Sequence, residues 1–136
     1  MTRRSHRPFP VIAAAFVLVI TACGSSGVQG SRPTTPAILQ IVSPTPNQVT
    51  GATVELKMTL ANAVVVQPGQ VGGKIEPGQG HIHVSLDGKL ISMTYGTQQE
   101  IPDLTPGTHT VQASFVASDH LPFANQVVAA VIFTVR

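Results

Sequence analysis

The sequence predicts an all-β domain, an antiparallel sandwich, on three observations. Val, Ile, Leu and Ala come in short stretches broken by Gly, Pro, Asn and Asp, the spacing of many short strands. The run Thr53-Val54-Glu55-Leu56-Lys57-Met58-Thr59-Leu60 places an aliphatic side chain at every second position, so one face is wet and the other is core. Asp87-Gly88 separates two further alternating runs, and a two-residue Asp-Gly loop favours a type I′ hairpin because both central residues need positive φ. No stretch offers a convincing helix.

Strands are expected near 37–42, 53–61, 63–67, 81–86, 89–95, 97–101, 108–117 and 125–135. The breaks between them are Ser43-Pro44-Thr45-Pro46-Asn47, a Gly/Pro loop from Pro68 to Gly80, and Thr105-Pro106-Gly107. In the central hairpin a regular register pairs Leu86 with Lys89, Val84 with Ile91, His83 with Ser92 and Ile82 with Met93. Ile82, Val84, Leu86, Ile91 and Met93 then share the core face. His81, His83, Ser85 and Ser92 share the other, with the two imidazoles ~7 Å apart along the strand.

Leu104-Thr105-Pro106-Gly107-Thr108-His109-Thr110-Val111 resembles the Leu-x-Pro-Gly-x-Tyr corner that opens strand F of immunoglobulin-like and fibronectin-like domains. The resemblance implies an immunoglobulin-like Greek-key sandwich in which His109 takes the Tyr position. There the ring packs inward and its polar end bonds nearby backbone, a structural role. His81 to Leu86 becomes strand C, Lys89 to Tyr95 strand C′ and Asn125 to Val135 strand G. The Cys-Trp-Cys hallmark of antibody-type domains is missing.

The amino-terminal residues carry an address. Arg3, Arg4 and Arg7 precede an apolar run from Phe9 to Ile20, and Ile20-Thr21-Ala22-Cys23 closes it with small residues before the single cysteine. The run falls short of the ~20 residues that span a bilayer. The tetrapeptide resembles a bacterial lipobox, which implies a signal peptide over 1–22, lipidation of Cys23, and anchorage to the extracytoplasmic face of the cell membrane. Two or more acyl chains, at ~0.8 kcal/mol per buried methylene, hold a protein there stably. Residues 23–36, rich in Gly, Ser, Thr and Pro, read as a flexible tether reaching roughly 20 Å. Residues 37–136 suit one domain with one core.

The eight Lys and Arg outnumber six Asp and Glu, but the three arginines leave with the signal and five remain against six. With no basic cluster, no Trp and Tyr95 as the one tyrosine, nucleic-acid binding is excluded. Catalysis finds little support. There is no Gly-x-Ser-x-Gly elbow, the acids Glu55, Glu76, Asp87, Glu100, Asp103 and Asp119 are scattered, and Gly69-Gln70-Val71-Gly72-Gly73-Lys74 lacks P-loop spacing.

Gly80-His81-Ile82-His83-Val84 leading into Asp87-Gly88, then Pro106-Gly107-x-His109-Thr110-Val111 and Asp119-His120-x-Pro122, resembles small His-rich bacterial envelope domains. That resemblance implies an exported sandwich with a His-rich end and brings no activity with it. Strand C starts at the pole where strand F ends, so the topology should bring His81, His83, Asp119 and His120 together and leave His109 at the opposite pole.

Two functions follow. One is a membrane-anchored, non-catalytic module whose loops or edges bind an envelope protein or polysaccharide. The alternative is a metal-handling domain using His81, His83 and His120 for zinc or copper, which take imidazole ligands. The bland account of the same residues is half-exposed imidazoles bonded to Ser85, Ser92 or Thr94. Met93, as a soft copper ligand, is expected in the core as filler. Clustered imidazoles also permit an acid-sensing role.

Overall fold

The computed structural model describes residues 31–67 and 74–136. The expected signal peptide, Cys23, the first part of the tether and the Gly-rich stretch from Gly69 to Gly73 lie outside them.

Alternating and turn-bounded runs become nine strands among the described residues, none of which is helical. They are β1 (Ile38–Ser43), β2 (Val49–Thr50), β3 (Val54–Ala61), β4 (Val64–Val65), β5 (Gln79–Leu86), β6 (Lys89–Thr94), β7 (Gln98–Ile101), β8 (Gly107–Val116) and β9 (Pro122–Val135). One sheet runs β1-β3-β7, and the other runs β2-β9-β8-β5-β4 with β6 also paired to β5. This is the immunoglobulin-like sandwich that the corner motif implies, β5 and β6 standing as C and C′ and β8 and β9 as F and G. The strand expected over 63–67 shortens to β4, which pairs parallel to β5, and β2 adds a short parallel edge to β9.

Both sheets point their alternate aliphatic residues inward. Val54, Leu56 and Met58 of β3 meet Ile82, Val84, Val111, Ala113, Phe115 and Phe133, all buried. Each of these side chains other than Ala113 contributes about 1.5–3 kcal/mol when removed from water. Phe115 and Phe123 stack with centroids 5.7 Å apart beneath the end of the sandwich where β8 turns into β9.

The central hairpin departs from the expected register. Asp87 and Gly88 have φ of 50° and 81°, as the turn demands, and Leu86 pairs with Lys89. Ser85 then pairs with Leu90 but Val84 with Ser92, so Ile91 is a bulge with no partner of its own. Beyond it the faces swap, because the side-chain period is two. Ser92 and Thr94 oppose Val84 and Ile82, while Met93 opposes His83 on the outer face and is 43% exposed. The assignment of Ile91 and Met93 to the core is thereby corrected.

Residues expected at the end of the tether are also docked. Thr35 is buried, the amide of Ala124 donates to the Pro33 carbonyl, and Thr35 and Asn125 exchange two hydrogen bonds of 2.7 and 2.8 Å. A composition poor in apolar side chains is held here by hydrogen bonds to the start of β9.

Candidate metal centre

Three elements supply the candidate site. β5 contributes His81 and His83 on its outer face, two residues apart and so on one side of the sheet. Their strand can lie close against β8 because residue 80 is glycine. A Cβ there would stand 2.1 Å from the Val116 carbonyl oxygen and 2.8 Å from the Phe115 ring.

The third imidazole comes from the β8–β9 connection. Ala117 donates to Leu121, and the His120 amide donates back to the Ala117 carbonyl, both at 3.0 Å. This closes a short loop over Ser118, Asp119 and His120, in which His120 has φ of 64°. A left-handed residue after such a turn is usually Gly or Asn, since a Cβ costs roughly 1 kcal/mol or more there. Here the residue is histidine, and its ring folds back over β5.

Arg32 fastens the same loop. Its Nη1 and Nη2 donate to the two carboxylate oxygens of Asp119 at 2.7 and 2.9 Å, and its Nε and Nη2 donate to the carbonyls of Pro122 and Leu121 at 2.6 and 3.1 Å. The pair holds the Asp119 carboxyl below its ordinary range, the Arg32 hydrogen bond being the main cause. Asp119, expected at the His-rich pole, is therefore committed to arginine.

His81 Nε2 lies 3.0 Å from His83 Nε2 and 3.1 Å from His120 Nδ1, and the last two nitrogens are 3.4 Å apart. His81 and His83 share the outer face as expected, but His81 is fully buried beneath the rings of His120 and Tyr95, centroids 4.5 and 6.1 Å away. Burial pushes the His81 pKa down to about 4, with the neighbouring His83 and His120 adding to the effect, and burial likewise lowers that of His83. Over the physiological range His81 is neutral, with a lone pair to give.

Hydrogen bonding alone cannot satisfy this triangle. A neutral imidazole nitrogen either donates or accepts, so three nitrogens in mutual contact leave one edge with two protons or two lone pairs facing each other. A cation resolves the conflict, since all three nitrogens then present lone pairs to one ion. Zinc–imidazole bonds of about 2.0–2.1 Å in tetrahedral geometry place ligand nitrogens ~3.3 Å apart, the spacing seen. The other nitrogen of His81, Nδ1, is buried without a partner, which leaves it to carry the ring proton when Nε2 turns its lone pair inward. Two of the three expected partners are engaged elsewhere: Ser92 donates to Gln99 at 2.6 Å and Thr94 to the Gly96 carbonyl.

A cleft of about 320 Å³ opens beside the cluster, with His83 and His120 in its wall alongside Ser114, Gln126, Leu90 and Val128. His81 is the buried member of the cluster, and the cleft opens on the side of His83 and His120.

His109 occupies the opposite pole. Its Nε2 approaches the Thr105 carbonyl and its Nδ1 the Asp87 carboxylate, both at 2.7 Å. Asp87 also accepts from the Thr110 amide at 2.8 Å, tying the β5–β6 turn to β8. The Thr105 carbonyl and then Asp87 raise the His109 pKa, and the Thr110 amide and then His109 lower that of Asp87. Arg32 and Tyr95 give no sequence signal for their places at the site: the first stands in a segment whose composition resembles a coil, and the second lies beyond a bulge signalled only by the adjacent apolar pair Leu90-Ile91.

No protein-family model matches this chain, and no curated protein matches it. Among solved structures it is similar to the fibronectin(III)-like modules of Clostridium thermocellum CbhA, at 16% identity and a TM-score of 0.51 over 72% of this chain and 94% of that one. Other similar structures are a Jonesia denitrificans lytic polysaccharide monooxygenase (17% identity, 68% of this chain and 60% of that one, TM-score 0.44) and a Pyrococcus furiosus CARDB domain in complex with di-metal ions (14% identity, 77% and 96%, TM-score 0.46). The first of these likenesses shows the fold alone: an immunoglobulin-like β-sandwich module.

Proposed function

We propose that this protein is a membrane-anchored, non-catalytic module of the cell envelope that binds a transition-metal ion through His81, His83 and His120. The observation that carries the reading is the triangle of ring nitrogens with 3.0, 3.1 and 3.4 Å edges. A binding role fits better than a catalytic one because Asp119 is occupied by Arg32 and Asp87 by His109, so neither is free to act as a base. The lipobox-like Ile20-Thr21-Ala22-Cys23 supports anchorage by lipid at Cys23 and, with it, a site outside the cytoplasm. Three neutral imidazoles converging on one point suit zinc or copper, both of which take nitrogen ligands.

Purified protein stripped of metal is titrated with Zn²⁺ while thermal unfolding is followed. A ligand at about 100 times its Kd adds ~2.7 kcal/mol to a native state that alone binds it, so the wild-type transition should rise. His120→Asn is the discriminating variant, because Asn accepts the left-handed backbone at position 120 and removes only the imidazole. It should fold normally and show no rise. An equal rise in the variant would refute the site.

A further inference from the structure

We infer that the site takes a fourth ligand from β6, the thioether of Met93, and that its cargo is a soft monovalent ion, copper(I), in preference to zinc. This rests on reading the three imidazoles as a metal site and specifies what that site selects.

The bulge at Ile91 decides where Met93 stands. It turns Met93 out of the core and sets it directly opposite His83 in the β5–β6 ladder, on the face that carries the imidazoles. Opposed residues of an antiparallel pair have Cβ atoms about 4.5–5.5 Å apart, and the unbranched Met side chain can carry its sulfur over the neighbouring ring. Tyr95 follows on the same face, its ring centroid 6.1 Å from that of His81, so the β6 residues facing the cluster are Met93 and then an aromatic ring.

Packing does not explain Met93. Met58 is 5% exposed and fills the core, whereas Met93 is 43% exposed. A flexible apolar side chain left at the surface beside three converging nitrogens has a chemical use that a buried one lacks. Thioether sulfur is a soft donor that favours copper(I), while zinc prefers thiolate, imidazole or carboxylate. The carboxylate in the same loop, Asp119, is withheld by its two hydrogen bonds from Arg32. The ion binds and leaves as copper(I), with no change of oxidation state.

The test uses protein purified in detergent and stripped of metal. Copper(I) affinity is measured anaerobically by competition with a chromogenic copper(I) chelator, and Zn²⁺ affinity by competition with a zinc indicator, for wild type, Met93→Leu and His120→Asn. Met93→Leu should weaken copper(I) by about tenfold or more and change zinc by less than about twofold. With Ag⁺ as a redox-inert probe, the Met93 methyl resonance should shift and that of Met58 should stay in place. Copper(I) affinity within about threefold of wild type in Met93→Leu, or a stationary Met93 methyl, overturns the inference. If His120→Asn still abolishes both metals in that case, the imidazole site stands without Met93. If His120→Asn changes neither metal, the imidazole site itself falls.

Discussion

His120 shows how a single side chain can sit at odds with its backbone. Its φ of 64° lies in the left-handed region, which costs a residue that carries a Cβ, and from there the imidazole reaches His81 and His83. His120→Gly should therefore raise stability of the metal-free protein by about 1 kcal/mol in chemical denaturation while removing metal binding. A fall in stability would mean that the ring contributes packing that outweighs its strain.

His109, the other placed imidazole, works by holding a proton. Its pKa is raised above 6.5, so its contribution is complete below that value and fades as pH climbs through the raised one. Asp87 has a lowered pKa, so its contribution is present above 3.8 and fades as pH falls through the lowered one. The pair is at full strength between these limits. His81 and His83, kept neutral by burial, lose stability as pH falls below 6.5, so the His109 effect is read as a difference. The stability gap between wild type and Asp87→Asn should be widest between pH 3.8 and 6.5 and narrow above, which denaturation at a series of pH values would reveal.

At the scale of elements, the hairpin and its neighbour strand decide what faces the site. Gly80 lets β5 lie against β8 where a side chain would collide with the Val116 carbonyl at 2.1 Å. Gly80→Ala must push β5 away at its first turn of ladder, directly beside His81. We expect a loss of about 1–3 kcal/mol in denaturation, the cost of overpacking, together with weaker metal binding. A variant that binds metal normally would show that β5 can move without disturbing the triangle. The alternation that identified β5 and β6 was plain in the sequence, as was the Asp87-Gly88 turn. The bulge was not, because an extra residue in one strand is a response to twist and to packing against β8, and it leaves only the Leu90-Ile91 doublet as a trace.

Across the whole molecule, the segment ahead of β1 and the loop after β8 meet although they are far apart in the chain. Arg32 spans 87 residues of sequence to Asp119, and its four hydrogen bonds fix the loop that presents His120. Partners that orient a metal ligand commonly contribute 10–100-fold to affinity, so Arg32→Gln should weaken metal binding by at least about tenfold. The unfolding midpoint of the metal-free protein should change little, since both side chains keep some exposure to water. Unaltered affinity in the variant would make the clasp a matter of docking alone.

Local chemistry determines much of this protein's fold. The period-two pattern of Val54, Leu56 and Met58, the Asp87-Gly88 turn and the corner ending in His109 were enough for an immunoglobulin-like sandwich, because each depends on neighbours a few residues apart. The same topology drew His81, His83 and His120 to one pole. Tertiary structure alone decided that their nitrogens close to 3.4 Å or less, that His81 is covered, that Met93 faces outward and that Arg32 holds the loop. These outcomes depend on a one-residue bulge and on contacts between distant segments, and the energies that select them arise only once the two sheets have packed.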